Sequence, residues 1–241
     1  MKNILITGGS RGLGLVLVKN LLESGYSVYS ISRKTSDELS ELKNNFDEKL
    51  IILNYDLENT EGIEKELLSA ELKFKIPFSA FINNAAIAYD DIITNLDFDP
   101  LLKMYKVNVF SPMIITKYII RNMLFNKING SIIHLSSISV HTGYKGLAMY
   151  ASTKGALEAF SKNTAREWGQ KGIRSNCIVA GFMETDMNAS LSKEQKDRIY
   201  NRTSLKQPTD TLSVASTIEH LISEKSKSIT GQNIFVDSGT I

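Results

Sequence analysis

Short apolar runs alternate with helix-length amphipathic stretches along the whole chain of 241 residues. The runs are apolar on both faces, as in the strands of a parallel sheet that helices cover on each side. Seven runs have this character: Ile4–Thr7, Ser27–Ser32, Leu50–Tyr55, Ala80–Asn83, Ser131–Ser136, Arg174–Val179 and Asn233–Val236. Repeated strand–helix alternation predicts an α/β protein with an open, doubly wound parallel sheet of seven strands and helices on both faces.

The helical stretches differ in length, and no change of composition separates them into two domains. Leu13 to Leu22 form an apolar stripe that Gly25 is expected to end. Two longer helices are predicted at Pro100–Asn126 and Tyr150–Gln170, and shorter ones at Leu191–Arg202 and Thr209–Ser223. We therefore expect one domain over residues 1–241. The polar, irregular stretch 182–207 within it is a candidate substrate lid.

Composition and charge exclude several classes of protein. Lys and Arg number 28 against 26 Asp and Glu, a formal charge of +2, which gives no signature of nucleic-acid or anionic-membrane binding. The single cysteine, Cys177, rules out an internal disulfide framework, and with only three histidines no metal site is expected. Polar residues interrupt the apolar stretch Val107–Ile120, so no membrane span is predicted. We expect a cytoplasmic protein.

A glycine-rich turn joins the first predicted strand to the first helix. Gly8 permits a tight turn, Gly12 lets the backbone approach a pyrophosphate, and Gly14 allows close contact between helix and strand. The helix N-terminus then offers N–H groups and positive dipole density to a phosphate. The spacing G-x-x-x-G-x-G differs from the G-x-G-x-x-G pattern, and a purely structural turn is the alternative.

The end of the second predicted strand bears on the choice of dinucleotide. An acidic residue there would bind a ribose 2′-OH, but the chain has Ser32, Arg33 and Lys34. Arg11 lies inside the glycine turn, and guanidinium groups suit a 2′-phosphate. The sequence therefore favours NADP(H) over NAD(H), with ordinary solvated charges as the alternative. Asp56, just beyond the third strand, is a candidate acceptor for the adenine amino group.

Tyr150 and Lys154 are four residues apart at the start of a predicted helix, so they share one face. An ammonium near a phenol favours the phenolate, which predicts a lowered pKa for Tyr150. Such a tyrosine can exchange a proton with an alcohol or a carbonyl oxygen. A chance surface pair is the alternative, because this spacing is common.

Polar residues elsewhere favour the chemical interpretation. Ser137 follows the fifth strand, thirteen residues before Tyr150, where its hydroxyl can donate to a developing oxyanion. Asn108 lies within a predicted helix, where asparagine is disfavoured, and holding a water that relays protons to Lys154 would explain it. Small residues at 85 and 86 follow the fourth strand and would let a cofactor lie against the backbone.

Together these motifs resemble the short-chain dehydrogenase/reductase family over essentially the whole chain, and most closely its 3-oxoacyl-acyl-carrier-protein reductase branch. The residues that carry the resemblance are the turn Thr7–Gly14, Asn83–Ala86, Asn108, Ser137, Tyr150–Lys154, Ala180–Met187, the Ala165–Glu167 run and the C-terminal stretch Ile229–Gly239. The resemblance implies a Rossmann-type fold and transfer of a hydride between a nicotinamide and a carbonyl or secondary alcohol.

The resemblance also implies a role for each matching residue. Tyr150 would be the general acid or base, Lys154 would bind the nicotinamide ribose, Ser137 would polarise the carbonyl, and Asn108 would hold the relay water. The expected cofactor-binding residues are Gly8, Ser10, Arg11, Gly12, Leu13, Gly14, Ser32, Arg33, Asp56, Leu57, Asn84, Ala85, Ala86, Tyr150, Lys154, Ala180, Gly181, Met183 and Thr185. The candidate substrate residues are Ser139, His141, Tyr144, Phe182 and Met187.

Four positions depart from the pattern that the resemblance implies. Ala86 replaces a usual glycine and Ala180 a usual proline, but neither removes a reactive group. Lys127 and Lys171 stand near the positions where the branch docks an acidic carrier protein on arginines, and lysine lacks the bidentate fork. An acyl-carrier-protein-linked substrate is therefore one expectation, and a keto or hydroxy compound of a sugar, polyketide or other secondary pathway is another.

Two further expectations follow from the resemblance. The two long helices would build a subunit interface, so a homo-oligomer, a dimer or a tetramer, is expected. A non-catalytic NADP-binding protein is the alternative to an enzyme, although such proteins typically lose the serine, tyrosine or lysine that this chain keeps.

Overall fold

A computed structural model describes residues 2–69, 72, 76–185 and 191–241. Its centre is one parallel sheet of seven strands in the order β3-β2-β1-β4-β5-β6-β7. The strands are β1 (Asn3–Thr7), β2 (Ser27–Ser32), β3 (Leu50–Asn54), β4 (Phe78–Asn83), β5 (Ser131–Ser137), β6 (Arg174–Ala180) and β7 (Asn233–Val236). The doubly wound α/β fold predicted from the sequence is confirmed, and each predicted strand overlaps an observed one.

The strand order reverses beside β1, which pairs with β2 on one side and with β4 on the other. Because all pairs are parallel, every strand ends at the same edge of the sheet. In open sheets of this type, ligands bind in the crevice outside this carboxyl edge, where the order reverses. The glycine turn after β1 and Ser137 at the end of β5 both lie at that edge.

Eight α-helices are described: α1 (Gly12–Glu23), α2 (Asp37–Phe46), α3 (Phe98–Tyr105), α4 (Ser111–Phe125), α5 (Ser139–Thr142), α6 (Ala148–Trp168), α7 (Lys193–Tyr200) and α8 (Thr211–Ile222). Helices α1 and α8 pack on one face of the sheet and bury one apolar cluster. On the other face, α4 and a π-helical segment, Ile63–Ser69, bury a second cluster. The predicted coverage of both faces is confirmed.

The helix predicted over Pro100–Asn126 is interrupted, so that prediction is corrected. A π-helical turn, Lys106–Phe110, separates α3 from α4. Pro112 follows in the first turn of α4 and has no N–H to donate to the carbonyl of Asn108, as a regular helix would require. The wider turn therefore falls at Asn108, and such turns are frequent at functional sites.

Helix α2 is not predicted from the sequence, because its apolar residues, Leu39, Leu42 and Phe46, are outnumbered by polar ones. The candidate lid over 182–207 contains α7, but residues 186–190, and with them Met187, lie outside the described part of the chain. Among the described residues, no helix is long and apolar enough to cross a bilayer.

Candidate active site

The glycine turn after β1 is held in a tight, fixed shape. Gly8 and Gly12 both have positive φ, of 74° and 52°, a conformation that favours glycine. A Cβ on Gly14 would lie 1.9 Å from the carbonyl oxygen of Gly8, so α1 begins directly against the turn. Asn84, after β4, donates through Nδ2 to the carbonyl oxygens of Thr7 and Gly8, at 3.0 and 3.1 Å. Asn84 therefore fixes the turn from the neighbouring strand.

The first turn of α1 is open to an anion. The side chain of the N-cap residue, Arg11, makes no capping hydrogen bond to this helix end, and the first turn contains no acidic residue. Among the described residues, a Cβ on Gly12 would meet only Thr185, at 3.5 Å, so these two residues face each other across the turn. The residues present fit a phosphate-containing cofactor, because the N–H groups of a helix start lie beside Gly12, a position that lacks a side chain.

The end of β2 lies directly beside this turn. The N–H of Gly8 donates to the carbonyl oxygen of Ile31 at 2.7 Å, and the hydroxyl of Ser36 donates to the carbonyl oxygen of Ser10 at 2.6 Å. Arg11 and Arg33 are both exposed on these two tied segments. The two segments that carry these arginines therefore lie side by side, and binding of a 2′-phosphate by Arg11 and Arg33 stays a prediction.

The first turns of α6 carry Tyr150 and Lys154 on the same face. The Nζ atom of Lys154 lies 5.7 Å from the centre of the Tyr150 ring and donates to the carbonyl oxygen of Leu135 at 2.8 Å. Lys154 is only 3% exposed, and this burial lowers its pKa to about 8. An ammonium so buried is held to one geometry by its hydrogen bond to β5.

The pKa of Tyr150 does not follow the sequence-based expectation. Burial raises it above the ordinary value for tyrosine, and the carboxylate of Asp90 raises it further. The expected lowering by Lys154 is therefore wrong for this structure, because desolvation disfavours the phenolate. A phenol with a raised pKa keeps its proton at neutral pH, which is the state that a general acid requires.

Ser137 accepts two hydrogen bonds at the end of β5. The hydroxyl of Ser139 lies 3.0 Å from its Oγ, and the N–H of Ser139 lies 3.2 Å from the same atom. Ser139 itself is 3% exposed. The prediction that Ser139 contacts substrate is therefore corrected: this side chain is covered and contacts Ser137 instead.

Asn108 joins three parts of the site through its fully buried side chain. Its Oδ1 accepts from the N–H of Ile87 at 2.9 Å, and its Nδ2 donates to the carbonyl oxygen of Ile87 and to Thr153, at 2.8 and 3.1 Å. The side chain thus ties the loop after β4 to α6. Since both N–H groups of the amide are engaged, a water-holding role would have to fall to the backbone carbonyl.

The described part of the lid region packs over the loop between α5 and α6. The guanidinium of Arg202 lies 5.9 Å from the centre of the Tyr144 ring, in a cation–π arrangement. Phe182 contacts the ring of Tyr200 in α7, with 6.0 Å between ring centres. Two of the predicted substrate residues, Tyr144 and Phe182, therefore each contact a side chain of the lid region.

Packing accounts for some of the residue types that end or follow β6 and β4. A Cβ on Gly181 would lie 2.6 Å from the Cα of Asp237, so only glycine fits beside β7. The carbonyl oxygen of Ala180 accepts from the N–H of Ile138 at 3.0 Å, which supports the segment after Ser137. Ala86 is half-buried. Most of the other predicted cofactor residues are covered by the protein. Leu13 and Ser32 are buried, and Met183 packs on the first apolar cluster. Leu57 belongs to the second apolar cluster, Ala85 packs against it, and Asp56 is exposed.

His141 contacts Glu158 and Phe235, and its predicted contact with substrate stays a prediction. Its Nε2 lies 3.1 Å from both carboxylate oxygens of Glu158, and its ring contacts Phe235 with 5.0 Å between ring centres. Glu158 also accepts from Ser136 at 2.5 Å and from Asn233 at 2.6 Å. This buried carboxylate links α6 to β5 and β7.

Sequence reasoning missed Glu158 and Asp90. Glu158 continues the spacing of Tyr150 and Lys154 by another four residues, which was a usable signal for a third polar group on that face. Asp90 acts on Tyr150 electrostatically, although it lies in a loop sixty positions earlier in the chain, and no local pattern indicates this. Among the described residues, no group of histidine, cysteine or acidic side chains could hold a metal ion.

A parallel sheet with this reversal, a glycine turn, and a serine, tyrosine and lysine at its carboxyl edge define a class of oxidoreductase. A family model described as Enoyl-(Acyl carrier protein) reductase matches residues 8–240. The chain belongs to the short-chain dehydrogenase/reductase family. The resemblance seen in the sequence is confirmed.

Among curated relatives, the chain is 31% identical to an uncharacterized oxidoreductase, YmfI, of Bacillus subtilis, over 99% of this chain and 98% of that protein. It is 31% identical to the 3-oxoacyl-[acyl-carrier-protein] reductase FabG of Staphylococcus epidermidis, again over 99% and 98% of the two chains.

Among solved structures, a 4-hydroxyisoleucine dehydrogenase complexed with NADH superposes with a TM-score of 0.93 at 28% identity and covers 100% of this chain and 98% of its own. ElxO with NADP bound gives a TM-score of 0.90 at 27% identity, with 99% and 98% covered.

Proposed function

We propose that this protein is an NADP(H)-dependent oxidoreductase that transfers a hydride between the nicotinamide and a carbonyl compound or secondary alcohol. The observation that carries the proposal is the grouping of Ser137, Tyr150 and Lys154 at the carboxyl edge of the sheet, beside an open helix N-terminus. The likeness to an oxidoreductase, YmfI, to a 4-hydroxyisoleucine dehydrogenase complexed with NADH and to ElxO with NADP bound supports the same function.

The residues of the proposed cofactor site divide into two groups. The glycine turn and the first turn of α1 would bind the pyrophosphate, with Thr185 across from Gly12. Lys154 would bind the nicotinamide ribose, since its ammonium has N–H groups beyond the one donated to Leu135. When bound, the nicotinamide supplies or accepts the hydride.

The protein would supply the proton and hold the carbonyl. Tyr150 would donate the proton from its Oη to the carbonyl oxygen in reduction and accept it in oxidation. Ser137 would donate a hydrogen bond to the same oxygen and so stabilise the charge that develops there. Lys154 would stabilise the tyrosinate that remains, and the backbone carbonyl of Asn108 would hold a water from which the proton is replaced.

The test of this mechanism is Tyr150→Phe, with NADPH and a panel of keto compounds. We expect loss of turnover by about a hundredfold or more, since general acid catalysis contributes that much, with an unchanged Kd for NADPH. Tyr26→Phe is the matched control, because Tyr26 lies just before β2, at the opposite edge of the sheet. Turnover by Tyr150→Phe at the wild-type rate would refute the assigned role.

The preference for NADP(H) is supported by Arg11 and Arg33 on adjacent, tied segments. Arg33→Asp is expected to raise the Kd for NADPH by roughly tenfold or more, because it removes a cation and adds a repulsive charge. Lys34→Asp makes the same change of charge at the next position, also exposed, and should have a smaller effect. A wild-type Kd for NADPH no lower than that for NADH would overturn the preference.

Two classes of substrate are candidates: a small or medium-sized free keto compound, and an acyl chain on a carrier protein. Lys127 and Lys171 precede β5 and β6 and therefore lie at the amino edge of the sheet, opposite the proposed site. Within one chain they are remote from Tyr150, which favours a free substrate. The fold shared with a 4-hydroxyisoleucine dehydrogenase supports this candidate. Comparing acetoacetyl thioesters, free and on a carrier protein, with keto sugars and keto acids would distinguish the two.

We also propose that residues 182–207 form the substrate lid.

We further propose that the protein is a homo-oligomer. Three aromatic side chains are exposed on α3, the π-helical turn and α4: Phe98, Phe110 and Phe125. Exposed aromatic side chains are typical of subunit interfaces. Light scattering coupled to size exclusion would measure the mass, and a monomer at micromolar concentration would contradict the proposal. Location in the cytoplasm stays a prediction.

A further inference from the structure

We propose that Ser139 is a positioning residue that fixes the hydroxyl of Ser137 as a donor to the substrate carbonyl. The inference rests on the proposed function, because it concerns how Ser137 acts in that reaction. Ser139 is a different residue from those that touch substrate or cofactor in the mechanism above.

A serine hydroxyl has one proton to donate and two lone pairs that accept. At Ser137 both acceptor positions are taken by Ser139, through its Oγ at 3.0 Å and its N–H at 3.2 Å. The structure shows no further hydrogen bond of Ser137 within its described part. The proton of Ser137 is therefore directed away from Ser139.

The local fold explains why Ser139 can occupy both positions. Ser139 is the first residue of α5, so its N–H is one of the amide groups that a helix start leaves without a partner. Its side chain is buried, at 3% exposed, which keeps the hydroxyl near Ser137 and out of contact with solvent. Ser137 is only partly covered, so its remaining proton faces the open side.

Two consequences follow for the reaction. A hydroxyl that accepts hydrogen bonds becomes a stronger donor, because chains of hydrogen bonds polarise one another. A hydroxyl whose proton is already oriented also needs no reorganisation as charge develops on the carbonyl oxygen. Both effects act in the transition state more than on substrate binding, so they alter kcat more than KM.

The kinetic test is a double-mutant cycle in the full-length protein, with NADPH and ethyl acetoacetate as the probe. We expect Ser137→Ala to lower kcat by about a hundredfold. Ser139→Ala should lower kcat by about 3- to 10-fold, which corresponds to one hydrogen bond, with little change in KM. In the Ser137→Ala background, Ser139→Ala should have no further effect. If the two effects multiply instead, Ser139 does not act through Ser137 and the proposal fails.

Controls separate positioning from general damage to the fold. Ser161→Ala removes a comparable bond between buried serines, the one to Ser175 at 2.8 Å, and should leave kcat unchanged. Ser139→Thr keeps the hydroxyl and should restore most of the rate. The Kd for NADPH should be the same in all variants. A rate for Ser139→Thr as low as that for Ser139→Ala, with normal NADPH binding, would count against the proposal.

A measurement without turnover makes the inference testable even if the proposed function is wrong. Neutron diffraction from deuterium-exchanged crystals would locate the hydroxyl deuterons of both serines. We expect the Ser139 deuteron to point at Oγ of Ser137 and the Ser137 deuteron to point away. A Ser137 deuteron directed at Ser139 would overturn the inference. Failure of the wild-type protein to reduce any ketone would instead overturn the proposed function.

Discussion

Replacing Lys154 by methionine should stabilise the fold while it abolishes the proposed reaction. Lys154 is almost fully buried in α6, and burial lowers its pKa to about 8 from the ordinary value of 10.5. A pKa lowered by this amount corresponds to a cost of about 3 kcal/mol for keeping the charged form in the folded state. Methionine has a similar length and carries no charge, so it removes that cost.

The net gain is smaller than the full cost, because the substitution also removes the hydrogen bond to the carbonyl oxygen of Leu135. Loss of that bond costs about 1 kcal/mol. We therefore expect Lys154→Met to be about 2 kcal/mol more stable at pH 7, or roughly 4–8 °C higher in Tm for a chain of this size. Residues that serve a reaction often lower stability in this way.

The sign of the pH dependence provides a second criterion. Below pH 8 both the folded and the unfolded wild-type chain carry the charge, so the full cost is present. Between pH 8 and 10.5 the unfolded chain binds more protons at Lys154, and the wild-type protein gains stability as pH rises. The advantage of Lys154→Met should therefore shrink over this interval.

The assay is thermal and urea unfolding, followed by circular dichroism at one fixed protein concentration, at pH 7, 9 and 10. Lys162→Met is the matched control, because Lys162 is an exposed lysine two turns further along the same helix. It should change the free energy of unfolding by less than about 0.5 kcal/mol. The reasoning is refuted if Lys154→Met is less stable than Lys162→Met at pH 7, or if its advantage does not depend on pH.

Three further outcomes are expected. In the reduction direction, kcat/KM should fall as pH rises through about 8, because Lys154 loses its charge there, and a profile flat to pH 10 would contradict this. Gly14→Ala should destabilise the protein by about 2 kcal/mol in urea unfolding, since its Cβ would lie 1.9 Å from the carbonyl oxygen of Gly8. Gly169→Ala is the control and should have no such effect, because a Cβ there meets no described residue within 4 Å. Glu158→Gln should lower the free energy of unfolding by about 1–3 kcal/mol, because Ser136 and Asn233 donate to the carboxylate and an amide would present N–H donors to them instead. An unchanged urea midpoint would argue against a stabilising role for these hydrogen bonds.

Most of the fold could be predicted because its signals are local. Parallel strands that are buried on both faces read as continuous apolar runs, and β1 to β7 follow those runs closely. The interrupted helix was not predicted, because the apolar pattern continues across Lys106–Phe110 and only the backbone shows the wider turn. Helix α2 has too few apolar residues for its pattern to stand out.

Some features of the candidate site could likewise be predicted from the sequence, and others could not. The spacing of Tyr150 and Lys154 on one helix, and the position of Ser137 after a strand, follow from the sequence because periodicity alone fixes which residues share a face or an edge. The sequence predicted a lowered pKa for Tyr150, whereas burial and a carboxylate distant in the chain raise it. Desolvation depends on everything that surrounds a group, so no pairwise spacing could reveal its sign.

By itself, the sequence therefore determined the class of fold, the order of its strands along the chain, and the residue types at the carboxyl edge of the sheet. Only the tertiary structure decided which hydrogen bonds those residues make: Ser139 with Ser137, Asn108 with Ile87, and His141 with Glu158. The physical reason is that local periodicity sets the direction of a side chain, whereas its partners, its burial and its pKa are set by elements that meet only when the chain is folded.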